Sequence, residues 1–120
     1  IEGGRNIMKN YLESHEWDID IFYAQNDDMA IGAIEELEKN GIAPGTDVKI
    51  VSVDGTREAF EAMIDGKLNC AVECNPLLGH KLMKEIQDIV AGNELPLRII
   101  TEEKWYDQSM AKEYLRSRKY

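Results

Sequence analysis

The chain has 120 residues and a formal net charge of −9, with 23 acidic against 14 basic residues. Such a charge repels phosphate backbones and anionic lipid headgroups, which excludes nucleic acid as an expected partner. No apolar stretch approaches the roughly 20 residues that a membrane-spanning helix needs, so we expect one globular domain, or part of one, that does not insert into a membrane.

Hydrophobic periodicity predicts a helix, a strand and a second helix in the first third of the chain. The first helix covers about residues 5–14, and "DIDIFYA" follows as a strand rich in Ile and aromatic residues. The second helix runs over about residues 28–39 and stops at Asn40-Gly41, a pair typical of helix ends. The helical pattern starts almost at the first residue and without an initiator Met, which suggests a piece of a longer chain.

The same alternation continues to the end of the sequence. The strand "VKIVSVDG" is nearly continuous in apolar residues, as in a strand covered on both faces, and ends at Asp54-Gly55. Thr56 caps a third helix, "LNCAVECN" is a third strand, and Pro76 starts a fourth helix that reaches about Ala91. "LPLRIITEE" is a shorter extended run, and "DQSMAKEYLRS" is a last helix. The cations of "LRSRKY" would interact favourably with the negative C-terminal end of that helix. This order predicts an α/β fold: three layers, with a mainly parallel sheet flanked by helices.

Polar side chains follow the strands where such sheets bind ligands, beyond their carboxyl ends, in "QNDD", "DGT" and "ECNP". Asn26 offers two donors and an acceptor, and the Asp54 carboxylate can accept from two neighbouring hydroxyls, a pairing suited to a vicinal diol on a sugar. The alternative is that these residues are ordinary helix caps. We favour that alternative for Asp27, Asp28 and Thr56, and both readings stay open for Asn26 and Asp54.

The third strand carries an acid and two thiols. Strand alternation places Glu73 on one side and Cys70 and Cys74 on the other. An acid in a covered strand is costly unless it is paired or lies at the rim, so Glu73 either faces a ligand cleft or makes a buried structural hydrogen bond to backbone. The cysteines would lie roughly 13 Å apart along the strand, too far for a disulfide, and we expect two buried thiols.

The segment "AQNDDMAIGAIEELEKNGIAPGTDVKIVSVDGTREAFEAMIDGKLNCAVECNPLLG" resembles the C-terminal lobe of the periplasmic sugar-binding proteins of ABC transporters, of the ribose and galactofuranose type, which are related to the sensor domains of LacI-type repressors. The resemblance extends from about Phe22 to Gly79, and more weakly through "TEEKWYDQ" and "RSRKY". The segment "VECNP" is similar to the galactofuranose-binding branch of these proteins. The resemblance implies that residues 1–120 form one lobe of a periplasmic-binding-protein-like I fold, a fragment of a longer two-lobe protein.

The resemblance also implies which residues contact a ligand. In that family two lobes close on a sugar, and this lobe contributes an Asn from "QND" and an Asp from "DG", here Asn26 and Asp54. A third polar contact, often Gln, falls at Cys74, a poor substitute for a carboxamide, so Glu73 is expected to take over the role. Asp27 and Asp28 would then cap the second helix and interact favourably with its positive end.

The implied function is that of a solute-binding component, which captures a monosaccharide by hinge closure and delivers it to the permease. The implied partners are a monosaccharide, the N-terminal lobe of the same protein and the ABC permease. Catalysis, a metal and a cofactor are not expected, and the implied location is periplasmic or extracellular, with a lipid anchor left open. Two alternatives remain: the ligand-sensing domain of a LacI-type transcription regulator, and a phosphoacceptor receiver domain in which Asp27, Asp28 and Asp54 hold magnesium.

Overall fold

Helices alternate with short strands in the computed structural model, which describes all residues from 1 to 120. The elements are α1 (Glu2–Ser14), β1 (Ile21–Tyr23), α2 (Asp27–Lys39), β2 (Lys49–Asp54), α3 (Arg57–Ile64), β3 (Cys70–Glu73), α4 (Gly79–Val90), β4 (Trp105–Asp107) and α5 (Gln108–Tyr114), followed by a 3-10 helix (Leu115–Ser117). None of these helices combines the length and the apolar character needed to cross a bilayer.

The four strands form one mixed sheet in the order β1-β2-β3-β4. The first three strands are parallel, and β4 runs antiparallel to β3. Tyr23 lies opposite Val51, and Asp54 lies opposite Glu73. The predicted α/β class with a mainly parallel sheet is therefore confirmed.

Two predicted elements differ after the third strand. Helix α4 starts at Gly79 rather than Pro76, because Asn75 Oδ1 accepts from Leu77 N at 2.8 Å and Pro76 O accepts from Leu78 N at 2.8 Å, which holds a turn there. "LPLRIITEE" forms no strand. The last strand is instead β4, whose approach is fixed by a 2.7 Å hydrogen bond from Glu73 N to Lys104 O.

The core lies between one face of the sheet and the helices. Ile50, Ala71 and Tyr106 point towards that side and are buried with apolar residues of α2, α3 and α5. On the other side, Val51 and Val53 of β2 are only half-buried, and next to them Val72 is 42% and Trp105 is 59% exposed. The expectation that the second strand is covered on both faces is thus not met within this chain, because no helix of the chain packs on that side.

Helix α4 buries none of its residues. Its predicted apolar stripe is present, and Leu82, Ile86 and Ile89 are all exposed along it. No other element of these 120 residues covers this stripe, and the chain is correspondingly elongated, with a longest dimension of 61 Å.

Helices α1 and α2 pack backbone to backbone. A Cβ atom at Gly4 would lie 2.2 Å from Met29 O, and one at Gly32 would lie 2.1 Å from Ile1 O, so only glycine fits at either position. This close contact fixes α2 against α1. It thereby fixes the first turn of α2, which borders the carboxyl edge of the sheet.

Candidate ligand-binding site

The segments after β1 and β2 meet at one edge of the sheet. Tyr23 pairs with Val51, and Ala24 N donates to Val51 O at 2.9 Å. Asn26 and Asp54 each follow this pairing by three residues, so both lie at the carboxyl edge. The structure thus brings together the two residues that the sequence predicts to contact a ligand.

Asn26 is the N-cap of α2, and its side-chain Oδ1 accepts from Met29 N at 2.9 Å. Its side-chain nitrogen donates to no protein acceptor. This nitrogen is not a buried atom left without a partner. The capping reading and the ligand reading are therefore compatible. One atom of the carboxamide caps the helix, and the other remains available as a donor.

Asp54 ends β2 with a positive φ of 122°, a conformation that residues other than glycine rarely adopt. Its side chain is half-buried and accepts no hydrogen bond from another side chain. Partial burial raises the pKa of the Asp54 carboxyl, and the negative charges of Asp27 and Asp28 raise it further, while the backbone amide of Asp27 opposes the shift.

Asp27 does not cap α2, so that prediction was wrong. Its carboxylate is completely buried and accepts from Ser52 Oγ at 2.5 Å and from the backbone N of Thr56 at 2.7 Å. Burial raises the pKa of Asp27, and these two hydrogen bonds oppose the rise. A receiver domain would need Asp27 as an accessible metal ligand, which this geometry does not provide. The predicted cap at Thr56 is confirmed, since its Oγ1 accepts from Ala59 N at 3.3 Å.

Glu73 lies on the buried side of β3 and is 8% exposed. Its carboxylate accepts from Arg118 Nη1 at 2.8 Å, from the Tyr120 hydroxyl at 3.0 Å and from the Tyr106 hydroxyl at 3.4 Å. Burial disfavours the charged form, but the hydrogen bonds from Arg118 and Tyr120, together with the positive charge of Arg118, hold the pKa of Glu73 below its ordinary value. The geometry favours a structural role, with side chains as donors in place of the expected backbone.

Arg118 is a residue that sequence reasoning missed. Its side chain is 7% exposed, and its guanidinium carbon lies 4.6 Å from the ring centroids of both Phe60 and Tyr106. It does not neutralise the end of a helix, as the tail was expected to do, because the chain turns back after the 3-10 helix and inserts Arg118 beside Glu73. Arg118 Nη1 also lies 3.5 Å from Gly55 O, so the tail borders the turn that follows Asp54.

Cys74 lies at the same edge, and its backbone N donates to Asp54 O at 2.9 Å. Both cysteines are free, with Cys70 half-buried and Cys74 exposed. The expectation of two buried thiols was therefore wrong for Cys74, because the side of β3 that carries it is the uncovered one. A contact between the Cys74 thiol and a ligand stays a prediction.

The edge that carries Asn26 and Asp54 is an open surface. None of the cavities of the chain is lined by either residue. A small ligand bound here would be contacted from one side only. Enclosing it requires a second surface facing this edge.

Comparison with known proteins gives consistent results along the whole chain. The family described as "Periplasmic binding protein domain" matches residues 1–94. The galactofuranose-binding protein YtfQ of Escherichia coli (strain K12) is 31% identical over 119 residues, which cover 97% of this chain and 37% of that protein.

Solved structures agree with this match. A protein from Mycobacterium smegmatis in complex with β-D-fucofuranose superposes with a TM-score of 0.90 and 46% identity, covering 96% of this chain and 38% of the other. The periplasmic binding protein component of the arabinose ABC transporter from Shewanella sp. ANA-3, bound to α- and β-L-arabinofuranose, gives a TM-score of 0.89 at 31% identity and covers 98% and 40%. The chain thus spans about two fifths of these proteins.

Proposed function

Because the chain belongs to the family of periplasmic binding protein domains, we propose that it forms one sugar-binding lobe of the solute-binding component of an ABC sugar transporter. The observation that carries this proposal is the pair Asn26 and Asp54 at one open edge of the sheet. Each side chain keeps hydrogen-bonding capacity that the protein does not use.

The chemistry of the pair suits a neutral polyol. The two oxygens of Asp54 accept from two adjacent hydroxyls, and the free nitrogen of Asn26 donates to a hydroxyl or ring oxygen. These hydrogen bonds become selective once water is excluded, since a sugar that leaves one partner unpaired loses affinity. Capture and release require no covalent step.

The ligands named for the similar proteins narrow the class of sugar. Galactofuranose, β-D-fucofuranose and L-arabinofuranose, named for three of these proteins, are five-membered rings, whereas other similar proteins are named for ribose, myo-inositol or D-allose. We therefore propose a monosaccharide in its furanose form as the ligand. The Asp54 carboxylate would accept hydrogen bonds from two neighbouring hydroxyls of that sugar.

The exposed apolar side of α4 supports a two-lobe arrangement. Helix α4 buries none of its residues although Leu82, Ile86 and Ile89 line one side of it. We propose that this side packs on the N-terminal lobe of the same protein, which also supplies the second wall of the site. Delivery to an ABC permease, and a periplasmic or extracellular location, follow from the same proposal.

Isothermal titration calorimetry on the full-length protein tests the function. D-ribose, D-galactose, L-arabinose and D-fucose serve as probes, and we expect micromolar or tighter binding for at least one. Asp54→Asn should weaken that binding at least tenfold, which corresponds to about 1.4 kcal/mol. Asp65→Asn is the matched control, since Asp65 is an exposed carboxylate at the far end of α3. Absence of binding to all four sugars, or equal affinity for Asp54→Asn and wild type, would contradict the proposal.

A further inference from the structure

One buried carboxylate connects the two segments of the proposed site. Asp27 follows Asn26 directly, and it reaches across the sheet edge to Ser52 Oγ at 2.5 Å and Thr56 N at 2.7 Å. Ser52 lies two residues before Asp54, and Thr56 lies two residues after it. Asp27 therefore holds the chain on both sides of Asp54.

The turn at Asp54 needs such support. Its φ of 122° is costly for a residue with a side chain, and such conformations persist only where the surroundings hold them. Gly55, the next residue, also has a positive φ, of 76°. On the side of α2, the hydrogen bonds that Asp27 accepts from Ser52 Oγ and Thr56 N hold the turn formed by Asp54 and Gly55.

A carboxylate suits this position better than a carboxamide. The two groups at the shortest distances from Asp27, the Ser52 hydroxyl and the Thr56 backbone N–H, both act as donors, and the Thr56 hydroxyl and the Gly55 backbone N–H add to them. A carboxylate accepts from both, whereas an amide would accept from one and turn its own N–H groups towards the other. Asp27→Asn therefore removes one contact while keeping the size of the side chain.

We infer that Asp27 is a positioning residue, which sets the distance and orientation of Asp54 relative to Asn26 and so determines affinity for the sugar without touching it. This inference rests on the proposed function. It assigns to a fully buried acid, next to a ligand residue, a role that differs from that of an ordinary helix cap.

A double-mutant cycle on the full-length protein tests the inference, by calorimetric titration with the same four sugars. Asp27→Asn should weaken binding about tenfold, the loss typical of one charge-assisted hydrogen bond. In the variant that combines Asp27→Asn with Asp54→Asn, binding should be no weaker than with Asp54→Asn alone, because the carboxylate being positioned is absent. A purely structural role would make the two fold-changes multiply, and that result would overturn the inference.

Asp28→Asn controls for charge. Asp28 is an exposed neighbour whose charge also acts on Asp54, but it makes no hydrogen bond to the turn. We expect the sugar affinity of the Asp28→Asn variant to stay within twofold of wild type. An equal loss of affinity for Asp28→Asn and Asp27→Asn would overturn the inference. Should Asp27→Asn fail to fold, Ser52→Ala removes the hydroxyl contact alone and should weaken binding a few-fold; unchanged affinity would again refute the positioning role.

Amide hydrogen exchange separates this inference from the proposed function. The Thr56 amide should exchange at least tenfold faster in Asp27→Asn than in wild type, whether or not a sugar is present. An unchanged rate refutes the positioning role even if the wild type binds sugar. A wild type that binds none of the four sugars refutes the proposed function instead, even if the Thr56 amide behaves as expected.

Discussion

Replacing Arg118 by alanine should destabilise the fold more than any other change in the tail. Its side chain is 7% exposed and that of its partner Glu73 is 9% exposed, so the ion pair is effectively buried. Removing one partner of a buried pair typically costs about 3–5 kcal/mol, because the other charge stays behind without compensation. Glu73 would keep only the hydroxyls of Tyr106 and Tyr120, and the rings of Phe60 and Tyr106 would lose the guanidinium stacked on them. The expected loss is a large part of an ordinary stability of about 5–15 kcal/mol.

Urea unfolding of the full-length protein, followed by tryptophan fluorescence, measures this loss. Arg116→Ala is the matched control, because Arg116 is exposed, lies two residues away and forms no ion pair. We expect that control to change the free energy of unfolding by no more than about 0.5 kcal/mol. The difference between the two variants isolates the buried pair from the general effect of removing a positive charge from the tail.

The combination of Glu73→Leu with Arg118→Met completes the test. With both charges replaced by apolar groups, no uncompensated charge remains buried, so the double variant should be more stable than Arg118→Ala alone. The reasoning is refuted if Arg118→Ala loses no more stability than Arg116→Ala. A double variant that is no more stable than Arg118→Ala would contradict the prediction as well.

Three further predictions concern other parts of the chain. Gly32→Ala should cost about 1–3 kcal/mol in urea unfolding, because its Cβ would meet Ile1 O, whereas Gly3→Ala, with open space around it, should be neutral or slightly stabilising; equal effects would contradict the close packing of α1 on α2. Burial and the hydrogen bond to Glu73 raise the pKa of Tyr120 to about 12 from an ordinary 10.0. Its neutral phenol therefore stabilises the fold fully below pH 10, and this contribution disappears as the pH rises from about 10 to 12, so Tyr120→Phe should show a flatter loss of stability over that window than wild type. Amides of α4 should exchange fast in the 120-residue chain and slowly in the full-length protein, and equally fast exchange in both would argue against packing of α4 on the other lobe.

The order of elements and the position of Asn26 and Asp54 at one edge of the sheet could be predicted from sequence, because both depend on local signals. Apolar periodicity marked the helices, and the polar junctions after β1 and β2 placed Asn26 and Asp54 at one edge once the strands were taken as parallel. The residue that caps α2 was harder to predict from sequence. Asn26 and Asp27 are adjacent and chemically similar, and only the three-dimensional position of Ser52 decides which of them caps α2 and which is buried.

The remaining features depend on contacts between distant parts of the sequence. Arg118 and Glu73 are 45 residues apart, and no periodicity signals that a tail will return to β3. The exposure of Cys74 could not be foreseen for a related reason, since an apolar strand does not reveal whether a covering layer belongs to the same segment. The strand β4 was missed because only three residues pair, and their pattern is shorter than the window in which alternation can be recognised.

The conformation at position 54 has a consequence for how this sequence can vary. A glycine there would relieve the unfavourable φ of 122° and should make the isolated fold more robust. Selection for thermal robustness alone would thus replace the acid. A carboxylate at a point where the backbone favours glycine is therefore a cost to the isolated fold, and the proposed contact of Asp54 with a pair of sugar hydroxyls would give that cost a function.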